Sequence, residues 1–179
     1  MSQHFLGFTA LCEKYTTGIK SKGDATDQLT TTLNNYLSKL VEVILEAGGD
    51  ILKFAGDALL AFWSCSRFSI SGMLDHVLLT CLNIQKKFGD YSTEDGDILR
   101  MRIGLSIGKV ELHYIGNKSI KLFDVTGQAI EDSNVAQSHT KSGGVVISKT
   151  AWEYVNQKKC VAKMVGPDYA QVNQRLATT

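Results

Sequence analysis

Gly48-Gly49-Asp50-Ile51-Leu52-Lys53-Phe54-Ala55-Gly56-Asp57-Ala58-Leu59-Leu60-Ala61-Phe62-Trp63 is a pair of short apolar runs joined by Ala-Gly-Asp. Strand-length apolar runs around a turn where Gly can take φ > 0, and where Asp can bond its own backbone, predict a β-hairpin with Asp57 at its tip. A carboxylate at a strand end, flanked by residues too apolar to solvate it, is suited to bind a hard cation. The competing reading is an Asp that only shapes the turn, a role Asp commonly fills. Lys53, inside one of the runs, reads as a snorkelling edge residue or as half of an ion pair.

Upstream of the hairpin, Asp24 can cap a helix whose Leu29, Leu33, Leu37, Leu40, Ile44 and Ala47 share one face, and Gly48-Gly49 ends it. The first segment, Phe5 to Tyr15, reads as a glycine-containing turn that runs into a short helix, and amides at such a helix start can hold a phosphate. Downstream, Ser71 opens a helix with Met73, Leu74, Val77, Cys81, Ile84 and Phe88 inward and His76 toward solvent. Tyr91 to Asp97 is a charged loop. Ile98 to Leu112 reads as a strand, a turn near Ile107-Gly108 and a returning strand. Arg100 and Arg102 share a face of the first of these, where they can pair with carboxylates or reach a triphosphate.

Asn117 to Ser119 reads as a turn, Ile120 to Val125 as a strand and Thr126 to Gln137 as a helix. Gly143-Gly144 precedes the strand Val145 to Ile147, and Ser148 caps a terminal helix carrying Trp152 and Tyr154. The expected organisation is one domain over 1–155 and a weakly patterned tail over 156–179 with at most one strand, near Cys160 to Val165. The element order predicts an antiparallel α+β sandwich.

Nineteen Lys plus Arg against eighteen Asp plus Glu leave a net charge of +1, which recommends neither nucleic acid nor an anionic membrane as partner. Cys12, Cys65, Cys81 and Cys160 are scattered, without a C-x-x-C pair or a His at ligand spacing, so reduced thiols are expected rather than a zinc site or disulfides. No apolar run approaches ~20 residues, so no transmembrane segment is expected and a cytoplasmic location is.

The stretch Gly48 to Trp63 closely resembles the metal-binding hairpin of class III nucleotidyl cyclases, and within them the soluble, bicarbonate-responsive adenylyl cyclases. Gly7-Phe8-Thr9 matches the end of that family's Asp-Ile-Ser-Gly-Phe-Thr motif, with His4 where the family's first metal-binding aspartate falls. Arg102-Ile103-Gly104-Leu105 and Thr126-Gly127-Gln128-Ala129 through Ala136-Gln137 resemble two further family motifs. The resemblance covers Gly7 to Trp152 and implies the ferredoxin-like cyclase fold. In the family a long apolar strand precedes the first motif, yet four residues precede Phe5 here, so the sheet is expected to lack most of its first strand.

The resemblance implies an adenylate cyclase that forms cyclic AMP and pyrophosphate from ATP in intracellular signalling. It assigns Asp57 as metal ligand for Mg²⁺ or Mn²⁺, Arg102 as a triphosphate contact with Asp57 in catalysis, and Gly7, Phe8 and Thr9 as phosphate-binding residues. It also implies a bicarbonate-binding role for Lys53, whose family partner, an arginine, corresponds to Asn134. The partner is a second cyclase domain, in trans or in a homodimer, because the family's site forms between two homologous domains. Cyclising ATP suits two divalent ions held by two carboxylates, one activating the 3′-hydroxyl and one neutralising charge on the phosphates. With His4 at one of those positions, a non-catalytic dimerisation or regulatory domain is the alternative reading. Asp50 is the nearest acidic residue in sequence and is expected at the opposite end of the hairpin.

Overall fold

A computed structural model describes residues 3–11, 24–55, 58–65, 69–92, 98–117, 121–140 and 143–176. In chain order these form β1 (Gln3–Leu11), α1 (Asp24–Glu46), β2 (Asp50–Ala55), β3 (Ala58–Ser64), α2 (Ile70–Phe88), β4 (Asp90–Ser92) and β5 (Ile98–Gly108). They continue with β6 (Glu111–Gly116), β7 (Lys121–Thr126), α3 (Gln128–Ser138), β8 (Gly144–Ser148), α4 (Lys149–Trp152), a 3₁₀ turn, β9 (Cys160–Met164) and β10 (Tyr169–Arg175). Among the described residues, eight strands share one sheet in the order β2-β3-β1-β5-β8-β10-β9, with β4 beside β5, and β6-β7 is a separate ribbon. The β1-α1-β2-β3-α2-β5 unit, with strand order β2-β3-β1-β5, is the ferredoxin-like arrangement.

The two faces of the sheet are built from different residues. Alternation in β3, β5 and β8 sends Leu59, Ala61, Trp63, Met101, Ile103, Leu105, Val145 and Ile147 to one face. There they meet Tyr36, Leu40 and Ile44 of α1 and Met73, Leu74, Val77, Leu78, Cys81 and Ile84 of α2 in one buried cluster. Ser69 caps α2 by accepting from the Gly72 amide at 3.1 Å, two residues before the serine expected to open it. Gly48, at φ 74°, turns the chain out of α1 into β2, and the Trp63 indole N–H donates to the Ala47 carbonyl at 2.9 Å. The opposite face carries small residues on β5. A Cβ on Gly104 would overlap the Ser133 carbonyl oxygen, and the Ser106 hydroxyl donates to the Ala129 carbonyl, so α3 lies close against the strand.

Several expectations are corrected. Gln3 to Leu11 is a strand, not a turn and helix, and it fills the place expected to be empty. β1 pairs antiparallel with both β3 and β5, with Gly7 opposite Leu60 on one side and Gly104 on the other. Glycine inside a strand is locally unfavourable, but two open edges supply a full set of ladder partners, and leaving them unpaired costs more. Residues 12–15, the rest of that expected segment, lie outside the described residues.

β5 and β6 do not form the expected hairpin. One edge of β5 is taken by β1 and the other by β4 and β8, which leaves no edge for β6, and β6 pairs with β7 instead. The stretch after residue 155, expected to hold at most one strand, carries two, β9 and β10, and β10 pairs with β8 and buries Ala170 and Val172 in the main core. Two inward apolar positions among polar neighbours are too faint a pattern to announce a core strand. The loop expected from Tyr91 begins as β4, and α4 ends at Trp152, before Tyr154.

Candidate active site

Cross-strand register gathers the sequence-derived residues at one end of the sheet. Ala58 pairs with Thr9, Thr9 with Arg102 and Arg102 with Gly144, so the start of β3 and Arg102 stand in one row. Two strand spacings separate Ala58 from Arg102, ~10 Å. Ala55 pairs with Ala58, which closes the hairpin as the sequence predicts, and Gly56 and Asp57 between them lie outside the described residues. Asp50 pairs with Phe62, at the opposite hairpin end as expected.

Arg102 shares the face of Gly104 and Ser106, the face on which α3 packs. The side chain is half-buried, and its Nη1 donates to the Thr140 carbonyl, just past α3, at 3.3 Å. Its Nε is buried with no hydrogen-bond partner among the described residues. Thr140 is itself held, its hydroxyl donating to the Gly143 carbonyl at 3.1 Å. The guanidinium is therefore positioned by one backbone carbonyl and keeps donors for an anion. Arg100, two residues earlier, is spent on Asp90, its Nε 3.6 Å from Oδ1, an exposed ion pair and the first of its two readings.

Lys53 stands two rows along, opposite Leu60, which pairs with Gly7 and through it with Gly104, so it too is on the α3 face. Its Nζ is 3.3 Å from Oδ1 of Asp124 on β7. The Val125 backbone N–H, and then Lys53, hold the Asp124 carboxyl below its ordinary value. Of the two readings of Lys53, the ion pair is the one observed. Asp124 is not among the residues expected from the sequence, although its signal is there: a lone acid in the apolar run Leu122-Phe123-Asp124-Val125 mirrors a lone lysine in Ile51-Leu52-Lys53-Phe54. Asn134, at the position of the family's arginine, is exposed on α3.

Gly7, Phe8 and Thr9 are inside β1 with strands on both sides, so their backbone does not form the helix start that the phosphate-binding expectation requires. His4 pairs with Trp63 and Ile107. Five residues of strand separate it from the Thr9 row, ~17 Å, so this register does not bring position 4 beside Arg102. His76 is exposed as expected, and its Nε2 is 2.8 Å from the Ala47 carbonyl, to which it donates. Among the described residues Cys65, Cys81 and Cys160 form no disulfide, and Cys12 lies outside them. Among the described residues, no group of three or more His, Cys, Asp or Glu is gathered as a metal site needs, and no helix is long and apolar enough to cross a membrane.

Comparison with known proteins agrees with this architecture. The model of the adenylate and guanylate cyclase catalytic domain matches residues 3–174. Adenylate cyclase type 10 of Oryctolagus cuniculus is 39% identical over 147 residues, 82% of this chain and 9% of that protein. The Homo sapiens protein of the same name is 35% identical over 166 residues, 93% of this chain and 10% of its own length. The chain thus spans about a tenth of the length of these curated relatives. In three dimensions it is similar to the guanylate cyclase domain of RhGC from Catenaria anguillulae, solved in complex with GTP, with a TM-score of 0.78 at 19% identity over 97% of each chain. A ferredoxin-like core and a family match along nearly its whole length together establish that this chain belongs to the adenylate and guanylate cyclase catalytic domain family.

Proposed function

We propose that the chain is one half of an adenylyl cyclase site, which forms cyclic AMP and pyrophosphate from ATP when paired with a second cyclase domain, either another copy or a separate partner. The observation that carries this reading is the shared row of Ala58 and Arg102, at the hairpin end next to Asp57, in a chain matching the cyclase catalytic domain from 3 to 174. Its relatives named adenylate cyclase type 10 favour ATP over GTP.

In this reaction the ribose 3′-oxygen bonds to the α-phosphorus as the bond from that phosphorus to the pyrophosphate oxygen breaks, and the hydroxyl proton leaves to solvent or base. Arg102, anchored to the Thr140 carbonyl, would bind the triphosphate and hold the leaving group in line, a positional and electrostatic contribution that changes little during reaction. Asp57 would be the ligand of Mg²⁺ or Mn²⁺, and such an ion, when bound, supplies Lewis-acid stabilisation of phosphate charge. Half a site on one chain agrees with a reaction completed by another domain. The reading also puts the chain in the cytoplasm, where ATP is available.

One observation favours the second reading, a non-catalytic cyclase-like domain: position 4 is a histidine, a poor Mg²⁺ ligand, and its register is remote from the Arg102 row. A single assay separates the two. The purified chain, alone and mixed with a separately purified second cyclase domain, is incubated with ATP and Mn²⁺, and cyclic AMP is measured. The catalytic reading expects product from the chain alone, where a second copy completes the site, or above either component in the mixture, where a separate domain does, in each case lowered ~100-fold by Asp57→Asn and ~10-fold or more by Arg102→Ala. No product from the chain alone, together with a mixture no better than its components, leaves the non-catalytic domain as the function.

A further inference from the structure

We propose that the cavity between the end of α1 and the start of α2 is a binding site for a small organic cation, a protonated amine carried on an apolar or aromatic body. The cavity holds about 460 Å³, within the range of small-molecule sites, about 300–1,000 Å³. Trp63, which lines it, pairs with His4, five residues of strand from the Thr9 row, so the cavity is at the far end of the hairpin from Asp57 and Arg102. The site is therefore separate from the candidate active site, and the inference does not depend on the cyclase reading.

Two glycines make the space. Gly48 leaves α1 at φ 74°, and a Cβ built on it would meet nothing within 4 Å among the described residues. A Cβ on Gly72 would meet the Ser69 hydroxyl at 3.1 Å. Beside them Trp63, at 1% exposure, and Met73, at 8%, supply the apolar lining. Protein interiors normally fill such space with side chains, so a cavity left unfilled next to buried apolar groups has room for an occupant.

The polar part of the lining has one sign. Glu46 brings a carboxylate, and no lysine or arginine is among the described residues that line the cavity. α1 runs for 23 residues and ends here without a basic residue in its last turn, so its dipole adds about half a negative charge at this end. The Ala47 carbonyl accepts from the Trp63 indole at 2.9 Å and from His76 Nε2 at 2.8 Å, which uses both its lone pairs and places the hydrogen of the neutral imidazole on Nε2. The other ring nitrogen, Nδ1, is then an acceptor as well. A carboxylate, a helix C-terminus and an acceptor nitrogen favour a cation, an indole attracts an ammonium group, and a flexible thioether adapts to an aromatic body. A metal ion fits less well, because Glu46 is a single carboxylate and no group of three His, Cys, Asp or Glu is gathered among the described residues.

The test uses the whole 179-residue chain and three probes of similar shape and different charge: phenethylammonium, 2-phenylethanol and 3-phenylpropionate. Binding is followed by NMR at fixed pH and ionic strength through the Trp63 indole N–H signal. Phenethylammonium is expected to shift that signal saturably and to bind about tenfold more tightly than the alcohol, with the carboxylate weaker still. Glu46→Gln should lower the affinity for phenethylammonium about three- to tenfold and leave that for the alcohol unchanged. Gly72→Leu, which places bulk at the α2 wall, should abolish binding of all three. Both positions are exposed, so the variants keep the fold, and the rest of the spectrum reports that they do. The absence of a saturable Trp63 shift with phenethylammonium, equal affinity for the ammonium and carboxylate probes, or an ammonium affinity unchanged by both substitutions overturns the proposal.

Discussion

The two faces of the sheet divide the work. On the α1-α2 face, β3, β5 and β8 present large apolar side chains that interlock with two helices and are almost entirely dry. On the α3 face, the same strands present Gly104, Ser106, Arg102 and, from β2, Lys53. The first face stabilises the fold through burial. The second uses small residues to bring α3 close and leaves two cations near the hairpin end. Lys53 and Arg102 are only partly buried, because burying a charge fully and unpaired costs several kcal/mol, and the exposed part of each is available to an anion. The ribbon extends the contrast, for Leu112, Tyr114, Ile115, Leu122 and Phe123 are large, apolar and exposed. Such a surface fits contact with another chain.

The contrast is broken most severely by Trp63→Ala. The side chain is 1% exposed and donates to the Ala47 carbonyl, so its loss leaves a cavity and removes that hydrogen bond, and urea unfolding should show a loss of about 3–5 kcal/mol. Tyr114→Ala on the ribbon, 77% exposed, should stay within about 0.5 kcal/mol in the same experiment. Equal losses at the two positions would mean that the ribbon is part of the folding core.

Gly104→Ala tests the other face. Its methyl group meets the Ser133 carbonyl, so α3 must shift, at about 1–3 kcal/mol, and Arg102 should move with Thr140. Chemical denaturation measures the first effect, and a changed Arg102 side-chain NMR signal measures the second. A neutral substitution would show that α3 is not closely seated.

Cys81 sharpens the description of the dry face. Full burial raises its thiol above the ordinary 9.0, so the folded state keeps a proton that the unfolded state releases. The sign follows: stability is intact below pH 9 and falls as pH rises beyond it, because the unfolded chain then binds fewer protons. Denaturation midpoints at pH 8 and pH 10 should differ more in the unmodified chain than in Cys81→Ala. Identical pH dependence in the two would locate the loss elsewhere.

Asp124 gives the smallest effect. Its carboxyl is depressed below 3.8, so the stabilisation is complete above that value and is lost as pH falls through the lower, folded-state value. Asp124→Asn should flatten the acid limb of the stability curve slightly. An unchanged acid limb would show that the Lys53 pair contributes nothing to folding.

By itself the sequence determined those elements whose pattern is local and strong: the Asp50–Ser64 hairpin, the apolar faces of α1 and α2, α3 after Gly127, and the motifs that named the family. Their periodicity lies within one element, and burial against any partner would satisfy it. It also decided that Asp50 is far from the hairpin tip, since strand geometry alone requires it. Only the tertiary structure decided what depends on pairing between distant segments. Gln3 to Leu11 becomes a strand because two neighbouring edges need partners, β6 turns away because β5 has no edge left, and β10 enters the core on two inward residues. The partner of Lys53 belongs to the same class. An ion pair across 71 residues has no local signature, because it forms where the folded backbone brings two lone charges together.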